Sequence, residues 1–327
     1  MNDIREHRIV CLNNHAELTT LASSIRNTID SRVGNEDFVD NLKDLGTGLL
    51  SVTQWVGGKS FNLFSVGIKK LGVQLHKVFD DNKMLSSKIN GALKEEHYDF
   101  TLSTVLVGSI TSTGQWSDFD RDLEELIKTA ELLTAHMGKV NDYLGHQLVT
   151  IRKYKSASNT SAVMAIVKEF EGITYPPLTL PNKNNGWALS HVLPAGRVIK
   201  FKDTDGNIEY SMSGDKPAGE SHTLSVSKSE VQHILNQINK LNGVHQKVKE
   251  SYATYLDFIK AWSDVVKEAD TGLSKIQNVG NQIIHEAENT LKGDAIALTF
   301  YSGFTPRVVN YVDKYIQDVL GIFSKVI

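Results

Sequence analysis

The sequence predicts a mainly α-helical protein, an elongated antiparallel bundle of several helices with one small β-hairpin inserted in it. Two observations predict this fold class. Apolar residues recur every three or four positions through most of the 327-residue chain, and this spacing places them on one face of a helix. Near the middle, the strand-like stretches Arg197–Lys202 and Asn207–Met212 flank Asp205-Gly206, a dipeptide that suits the positive φ angles of a tight hairpin turn. A lone hairpin is only marginally stable, so we expect the flanking helices to support it.

The helical pattern divides the chain into segments with recognisable ends. The helices predicted from it, in chain order, cover Leu18–Ile29, Leu42–Val78, Ser117–Ile151, Ser161–Phe170, Ser227–Val266, Leu273–Leu291 and Pro306–Phe323. The residues Ser229 and Glu230 stand where they can cap the fifth of these helices. The stretch Phe100–Ile110 fits a short strand and a helix almost equally, and the prolines of Tyr175–Pro181 predict an ordered loop. We divide the chain into an N-terminal helical region, 1–95, and a bundle, 96–327, that carries the hairpin at 197–212.

Composition and charge are those of an ordinary globular protein. Hydrophobic residues make up 40% of the chain, charged residues 22%, and the formal net charge is −3. This balance gives no long-range attraction for nucleic acid, which argues against DNA binding by general electrostatics. Cys11 is the single cysteine, so an internal disulfide framework and a multi-thiolate metal site are excluded. Neither a secretory signal peptide nor a run of about 20 apolar residues that would span a membrane is visible, so we expect a soluble protein.

Three stretches come close to an enzyme or metal motif, and each lacks a necessary residue. Val56–Ser60 resembles the end of a phosphate-binding loop, but Thr53 stands where the first glycine is needed. His285-Glu286 begins like a zinc-protease helix, but Asn289 replaces the second histidine. Asp203–Asn207 is similar to a calcium loop, but its glycine comes two positions early and its twelfth position is a glycine instead of glutamate. We therefore predict no catalytic, cofactor-binding or metal-binding residues, and a protein that is not an enzyme.

One amphipathic segment is a candidate for contact with a membrane or a partner. Within the glycine-interrupted stretch Leu42–Val78, five large apolar residues form a wide face edged by lysines. They are Leu49, Leu50, Trp55, Phe61 and Phe64. The same pattern is also typical of a helical hairpin packed in a core, because apolar stripes usually face other helices.

The order of these features resembles that of a known protein family. The amphipathic segment and a Leu-rich helix are followed by Tyr175-Pro-Pro, then by Leu193-Pro-Ala-Gly-Arg197 entering a strand, and then by Thr223-Leu-Ser-Val-Ser opening a long helix. This layout resembles the internal head proteins of large contractile-tailed bacteriophages, over about the C-terminal two thirds of the chain. The Leu-Pro-Ala-Gly-Arg segment and the Leu-Ser-rich helix start carry most of the resemblance.

The resemblance implies a non-enzymatic virion component that is packaged inside the capsid and ejected with the genome into the host cytoplasm. Its partners would be other virion proteins, with packaged DNA as a neighbour only and the host membrane as a further candidate. Family members are trimmed by a prohead protease after an aliphatic-x-Glu tripeptide, and Ile4-Arg-Glu6, Leu93-Lys-Glu95 and Leu123-Glu-Glu125 fit that pattern. A terminus offers extended backbone to a protease more readily than a helix does, so Ile4 and Glu6 mark the favoured candidate.

Two other functions stay open. In an α-helical pore-forming toxin, Leu49–Phe64 would be the inserting element. The hairpin is a poor membrane tongue, because its tip carries Asp203, Asp205 and Glu209. The third hypothesis is a cytosolic adaptor or scaffold that binds other proteins through its helix faces.

Overall fold

The computed structural model describes residues 79–204, 207–273, 296–297 and 300–326. The chain forms two compact units. Of the described residues, the first unit contains 138–176, 252–273, 296–297 and 300–303. The second unit contains 79–137, 177–204, 207–251 and 304–326.

Helices alternate with short strands along the described chain. The helices are α1 (79–92), α2 (Thr104–Ile110), α3 (Phe119–Lys153), α4 (Thr160–Glu171), α5 (Lys228–Leu273) and α6 (Thr305–Phe323). The strands are β1 (His97–Leu102), β2 (Asn182–Asn184), β3 (Trp187–Leu189), β4 (Val198–Thr204), β5 (Asn207–Ser213) and β6 (His222–Ser227). A π-helical turn, Phe300–Phe304, leads into α6. The predicted division at residue 95 falls in the loop between α1 and β1.

The expected fold class is wrong in its β content. The described residues are 67% helical, but they include six strands in two antiparallel sheets. β1 pairs with β6, and β2, β3, β4 and β5 form a four-stranded meander. The predicted hairpin corresponds to β4 and β5, which pair from Val198↔Ser213 to Thr204↔Asn207. A helical bundle with a single inserted hairpin is therefore not the fold, because this hairpin is supported by two further strands of its own sheet as well as by helices.

Asn185-Gly186 forms the turn between β2 and β3, two of the strands that were not predicted from the sequence. Both residues have positive φ, 49° and 79°, as a two-residue hairpin turn requires. The strands on either side, β2 and β3, have only three residues each, so they show no alternating apolar pattern. The Asn-Gly dipeptide is the feature of the sequence that predicts this hairpin turn.

The sheet of β1 and β6 joins distant parts of the sequence, because His97 pairs with Ser227 and Leu102 with His222. Alternate residues of both strands are buried, as in Phe100, Leu102 and Val226. The ambiguous stretch Phe100–Ile110 contains both structures: β1 ends at Leu102, and α2 begins after Ser103, whose hydroxyl accepts a hydrogen bond from the amide of Leu106.

Four predicted helix starts, Ser117, Ser161, Ser227 and Pro306, lie within two residues of the starts of α3, α4, α5 and α6. Thr223–Ser227, which we expected to open the long helix, is instead part of strand β6, and α5 continues to Leu273, where we expected a new helix to begin. At the start of α5, the Ser227 hydroxyl accepts a hydrogen bond from the Glu230 amide (3.3 Å), and the Glu230 carboxylate accepts one from the Ser227 amide (2.7 Å). These reciprocal bonds form a capping box, which confirms Glu230 as a capping residue, but its partner is Ser227 and not the predicted Ser229. The stretches 18–29 and 42–78, and most of 273–291, lie outside the described residues.

Each unit has its own apolar core. In the first unit, α3, the 3₁₀ turn Tyr154–Ser156 that follows it, α4 and α5 contribute the buried residues Leu148, Ile151, Tyr154, Val163, Ile166, Val167, Phe170, Val265 and Ala269. In the second unit, Phe100 packs edge-on against Phe323 of α6, with ring centres 5.3 Å apart. Within the described parts of the chain, no helix combines the length and the apolar character that crossing a membrane requires.

Candidate functional site

The residues that the sequence singled out as sites lie outside the described part of the chain. These are the processing residues Ile4 and Glu6, and the apolar face of Leu49, Leu50, Trp55, Phe61 and Phe64. The structure therefore does not test whether these five apolar residues share a surface, and both assignments stay predictions.

The other two aliphatic-x-Glu tripeptides lie within the second unit. Leu123–Glu125 is inside α3, with Leu123 buried, as the sequence predicts. Leu93–Glu95 lies in the loop after α1, where Lys94 and Glu95 are exposed but Leu93 is only 4% exposed. The Glu95 amide donates to the Tyr98 hydroxyl (2.8 Å). Cleavage after Glu95 thus requires the loop to open locally and release Leu93.

The segment that carries the family resemblance forms a tight structural junction in the second unit. Leu193 and Pro194 are buried, and Leu193 forms a β-bridge with Arg197. The Pro194 carbonyl accepts a hydrogen bond from the Tyr311 hydroxyl (2.8 Å), and the Ala195 amide donates to the Thr111 carbonyl (2.9 Å). Residues near α2, on α6 and before β4 therefore meet at this segment, which we call the Leu193–Arg197 junction.

The backbone of the junction is held in an unusual conformation. Ala195 has a φ of 56° and Gly196 a φ of 66°, in the left-handed region that costs a residue with a Cβ about 1 kcal/mol or more. A Cβ on Gly196 would also overlap the carbonyl oxygen of Asp215. The close approach of the loop that follows β5 thus excludes a side chain at position 196.

A buried carboxylate stabilises the turn before α3. Asp122 is 1% exposed and accepts hydrogen bonds from the Ser112 amide (2.5 Å), the Ser112 hydroxyl (3.0 Å) and Arg121 Nη2 (3.1 Å). The hydrogen bond from Arg121 to Asp122 also raises the pKa of the Arg121 guanidinium. The charge of Asp122 is therefore used inside the protein, to hold the turn at residue 112 against α3.

The first unit contains a cluster of buried tyrosines around the π-helical turn. The Tyr301 hydroxyl donates to Asn141 Oδ1 (2.7 Å), and the Tyr252 hydroxyl donates to the Tyr301 carbonyl (2.6 Å). The Tyr255 ring stacks on that of Tyr301, with centres 4.2 Å apart. Burial raises the pKa of Tyr301 far above its ordinary value, so the phenol stays neutral. π-helical turns often occur at functional sites, but here the turn packs aromatic rings and satisfies buried hydroxyls.

The four-stranded sheet in the second unit has one buried and one accessible face. Ile199 and Phe201 point to the buried face, where Phe201 lies beside His136 and Tyr210. Successive residues of a strand point to opposite faces, so Lys200 and Lys202 occupy the accessible one. We call this the outer face of the sheet and define it by Trp187, Leu189, Lys200, Lys202 and Glu209.

The outer face combines an aromatic ring with two cations. Lys202 Nζ lies 5.8 Å from the centre of the Trp187 ring, and Lys200 stands opposite Leu189 in the strand register. This face was not predicted from the sequence. The alternation in Val198-Ile-Lys-Phe-Lys202 was the signal for the lysines, whereas the position of Trp187 depends on the β2–β3 turn.

Among the described residues, no group of three or more His, Cys, Asp or Glu side chains is arranged to hold a metal ion. No protein-family model, curated protein or solved structure matches the chain.

Proposed function

We propose that this chain is a non-enzymatic component of a contractile-tailed bacteriophage virion, packaged inside the capsid and ejected with the genome. The observation that supports the proposal is the position in the fold of Leu193–Arg197, the segment that carries much of the family resemblance. Leu193–Arg197 is a buried junction whose backbone is bonded to Thr111 and Tyr311. Such a constraint ties these residues to the packing of the fold, so the resemblance supports a common fold more directly than a common binding surface.

Several buried polar groups are used within the fold. Asp122 accepts hydrogen bonds from Ser112 and Arg121, and the hydroxyls of Tyr252 and Tyr301 donate hydrogen bonds within the first unit. The proposal therefore gives these three residues a structural role.

The net charge of the chain bears on which partners could bring it into a capsid. With a net charge of −3, it has no bulk attraction for the phosphate backbone. We therefore propose contacts with other virion proteins as the means of packaging.

Mass spectrometry of purified virions of the phage that encodes the chain tests the proposal. We expect its peptides in intact particles, protected from added protease until the capsid opens, and depleted from heads that have released their DNA. Absence from virions would refute the proposal. Release of dye from liposomes by the purified chain would favour the membrane-active alternative, and a stable host-protein partner with no virion association would favour the adaptor.

Processing is tested by the N-terminal peptide of the packaged chain. Trimming at the favoured candidate should produce a chain that begins after Glu6, and Glu6→Gln should prevent it. If trimming occurs in the α1–β1 loop, Glu95→Gln should prevent it while the matched variant Glu96→Gln should not. A packaged chain that keeps both tripeptides intact would contradict processing at these positions.

A further inference from the structure

We infer that the outer face of the four-stranded sheet binds single-stranded nucleic acid, with a base stacked on Trp187 and the adjoining phosphates held by Lys200 and Lys202. This inference goes beyond the proposed function and depends on the sheet alone.

The strand register places the aromatic ring and the cations on one surface. Leu189 lies opposite Lys200, and Trp187, two residues before Leu189, shares its face. Lys202 lies two residues after Lys200 on that same face, with its Nζ 5.8 Å from the Trp187 ring centre. Because Lys202 Nζ lies over the face of this ring, a base that stacks on Trp187 would take the place of the ammonium, and Lys202 would then contact the adjoining phosphate. The stacking of a base on an aromatic ring contributes more free energy than an exposed cation–π contact does, so this exchange is favourable.

The two lysines are not neutralised by the protein. Within the described residues, neither Lys200 nor Lys202 has a carboxylate within ion-pair distance. The acidic residue on this face is Glu209, which stands opposite Lys202 in β5. The local charge of these three side chains is thus positive although the chain as a whole is negative, and this favours an anionic ligand.

The single aromatic ring favours an unpaired strand over a duplex. Stacking requires a base whose face is free, as in single strands bound on aromatic platforms beside basic grooves. The sheet is only about 14 Å wide, from three strand spacings of about 4.8 Å, which suits a short stretch of nucleotides. An acidic peptide would satisfy the lysines but would make no use of the ring of Trp187.

Fluorescence anisotropy with a labelled oligothymidylate of about 12 nucleotides tests the inference on the full chain, with the matching duplex for comparison. We expect the single strand to bind more tightly than the duplex. If two phosphates are held, affinity should fall about sevenfold between 50 and 200 mM salt, since each contact contributes a slope of about −0.7. Trp187→Ala should weaken binding about tenfold or more through loss of stacking.

Variants that remove one charge test whether binding depends on the outer face or on the stability of the fold. Lys200→Gln should weaken binding and lower the salt dependence, whereas Glu209→Gln should strengthen binding because it removes the negative charge on the face. The matched control is Lys88→Gln, an exposed lysine of α1 in the same unit, which should bind like the unaltered chain. Circular dichroism would show that each variant is folded.

Three results would overturn the inference. The first is no binding of the oligonucleotide by the unaltered chain. The second is equal binding by Trp187→Ala, Lys200→Gln and the Lys88→Gln control. The third is equal displacement of the oligonucleotide by polyglutamate at the same charge concentration, which would show that the face binds anions without recognising a base.

Discussion

Replacing Gly219 with alanine tests how the loop after β5 packs against α2. A Cβ at position 219 would meet the Thr104 carbonyl oxygen and the Gly108 amide nitrogen inside the 3.0 Å that real Cβ atoms keep. Both obstacles are backbone atoms, which cannot move aside as the end of a flexible side chain can. We therefore expect the upper end of the overpacking range, a loss of about 3 kcal/mol in the free energy of unfolding.

The matched control is Gly243→Ala in α5, within the same unit. A Cβ at position 243 meets nothing within 4 Å, and alanine in a helix interior is favoured over glycine by about 1 kcal/mol. The same substitution should therefore act with opposite signs at the two positions.

Thermal unfolding followed by far-UV circular dichroism measures both variants. At an unfolding entropy of about 2.1 cal/mol/K per residue, a change of 1 kcal/mol shifts the melting temperature of a 327-residue chain by about 1.5 °C, so Gly219→Ala should melt about 4–5 °C lower and Gly243→Ala about 1–2 °C higher. If Gly219→Ala melts within about 0.7 °C of the unaltered chain, a shift below about 0.5 kcal/mol, the loop does not lie against α2 as described.

Three further variants test the buried polar groups. Asp122→Ala should lower the free energy of unfolding by about 2–3 kcal/mol, measured in urea, because the Ser112 amide loses a charged acceptor; an unchanged urea midpoint would contradict this. Burial lowers the pKa of His245 to about 4. The unfolded chain therefore takes up this proton first as pH falls, so stability should drop by about 3 kcal/mol between about pH 6.5 and pH 4. In urea unfolding, the stability of His245→Leu should not show this loss between about pH 6.5 and about pH 4. If the variant and the unaltered chain lose the same stability over this range, His245 is not its cause. Tyr252→Phe should cost about 1 kcal/mol in thermal unfolding, through loss of the hydrogen bond to the Tyr301 carbonyl; an unchanged melting temperature would show that this bond contributes no net stability.

Predictions based on neighbouring residues agreed best with the structure. The box that starts α5 involves Ser227 and Glu230, three positions apart, and the β4–β5 pairing extends to Thr204 and Asn207, also three positions apart. The predicted turn dipeptide Asp205-Gly206 lies outside the described residues. Capping and tight turns depend on the φ angles and hydrogen bonds of a few adjacent residues, so the sequence alone indicates them. The Asn185-Gly186 turn was equally local, and its two strands were missed because they are too short to show a period.

Features that depend on distant residues were not predictable in the same way. The sheet of β1 and β6 pairs His97 with Ser227, and either strand alone fits several structures. The burial of Asp122 follows from the position of Ser112, ten residues earlier, across the turn before α3. Alternation shows that a residue faces one side of a strand, but it does not show which strand lies beside it.

The amino-acid sequence thus indicates the helices α3, α4, α5 and α6 and the paired strands β4 and β5, because helix caps, tight turns and apolar periodicity depend on residues close together in sequence. Tertiary packing specifies three other features: the sheet of β1 and β6, the close approach of Asp215 that excludes a side chain at Gly196, and the contact of Lys202 with the ring of Trp187. These features require segments that are separated along the chain to approach within a few ångströms. Such contacts form only when both segments are in place, so the sequence of one segment alone does not predict them.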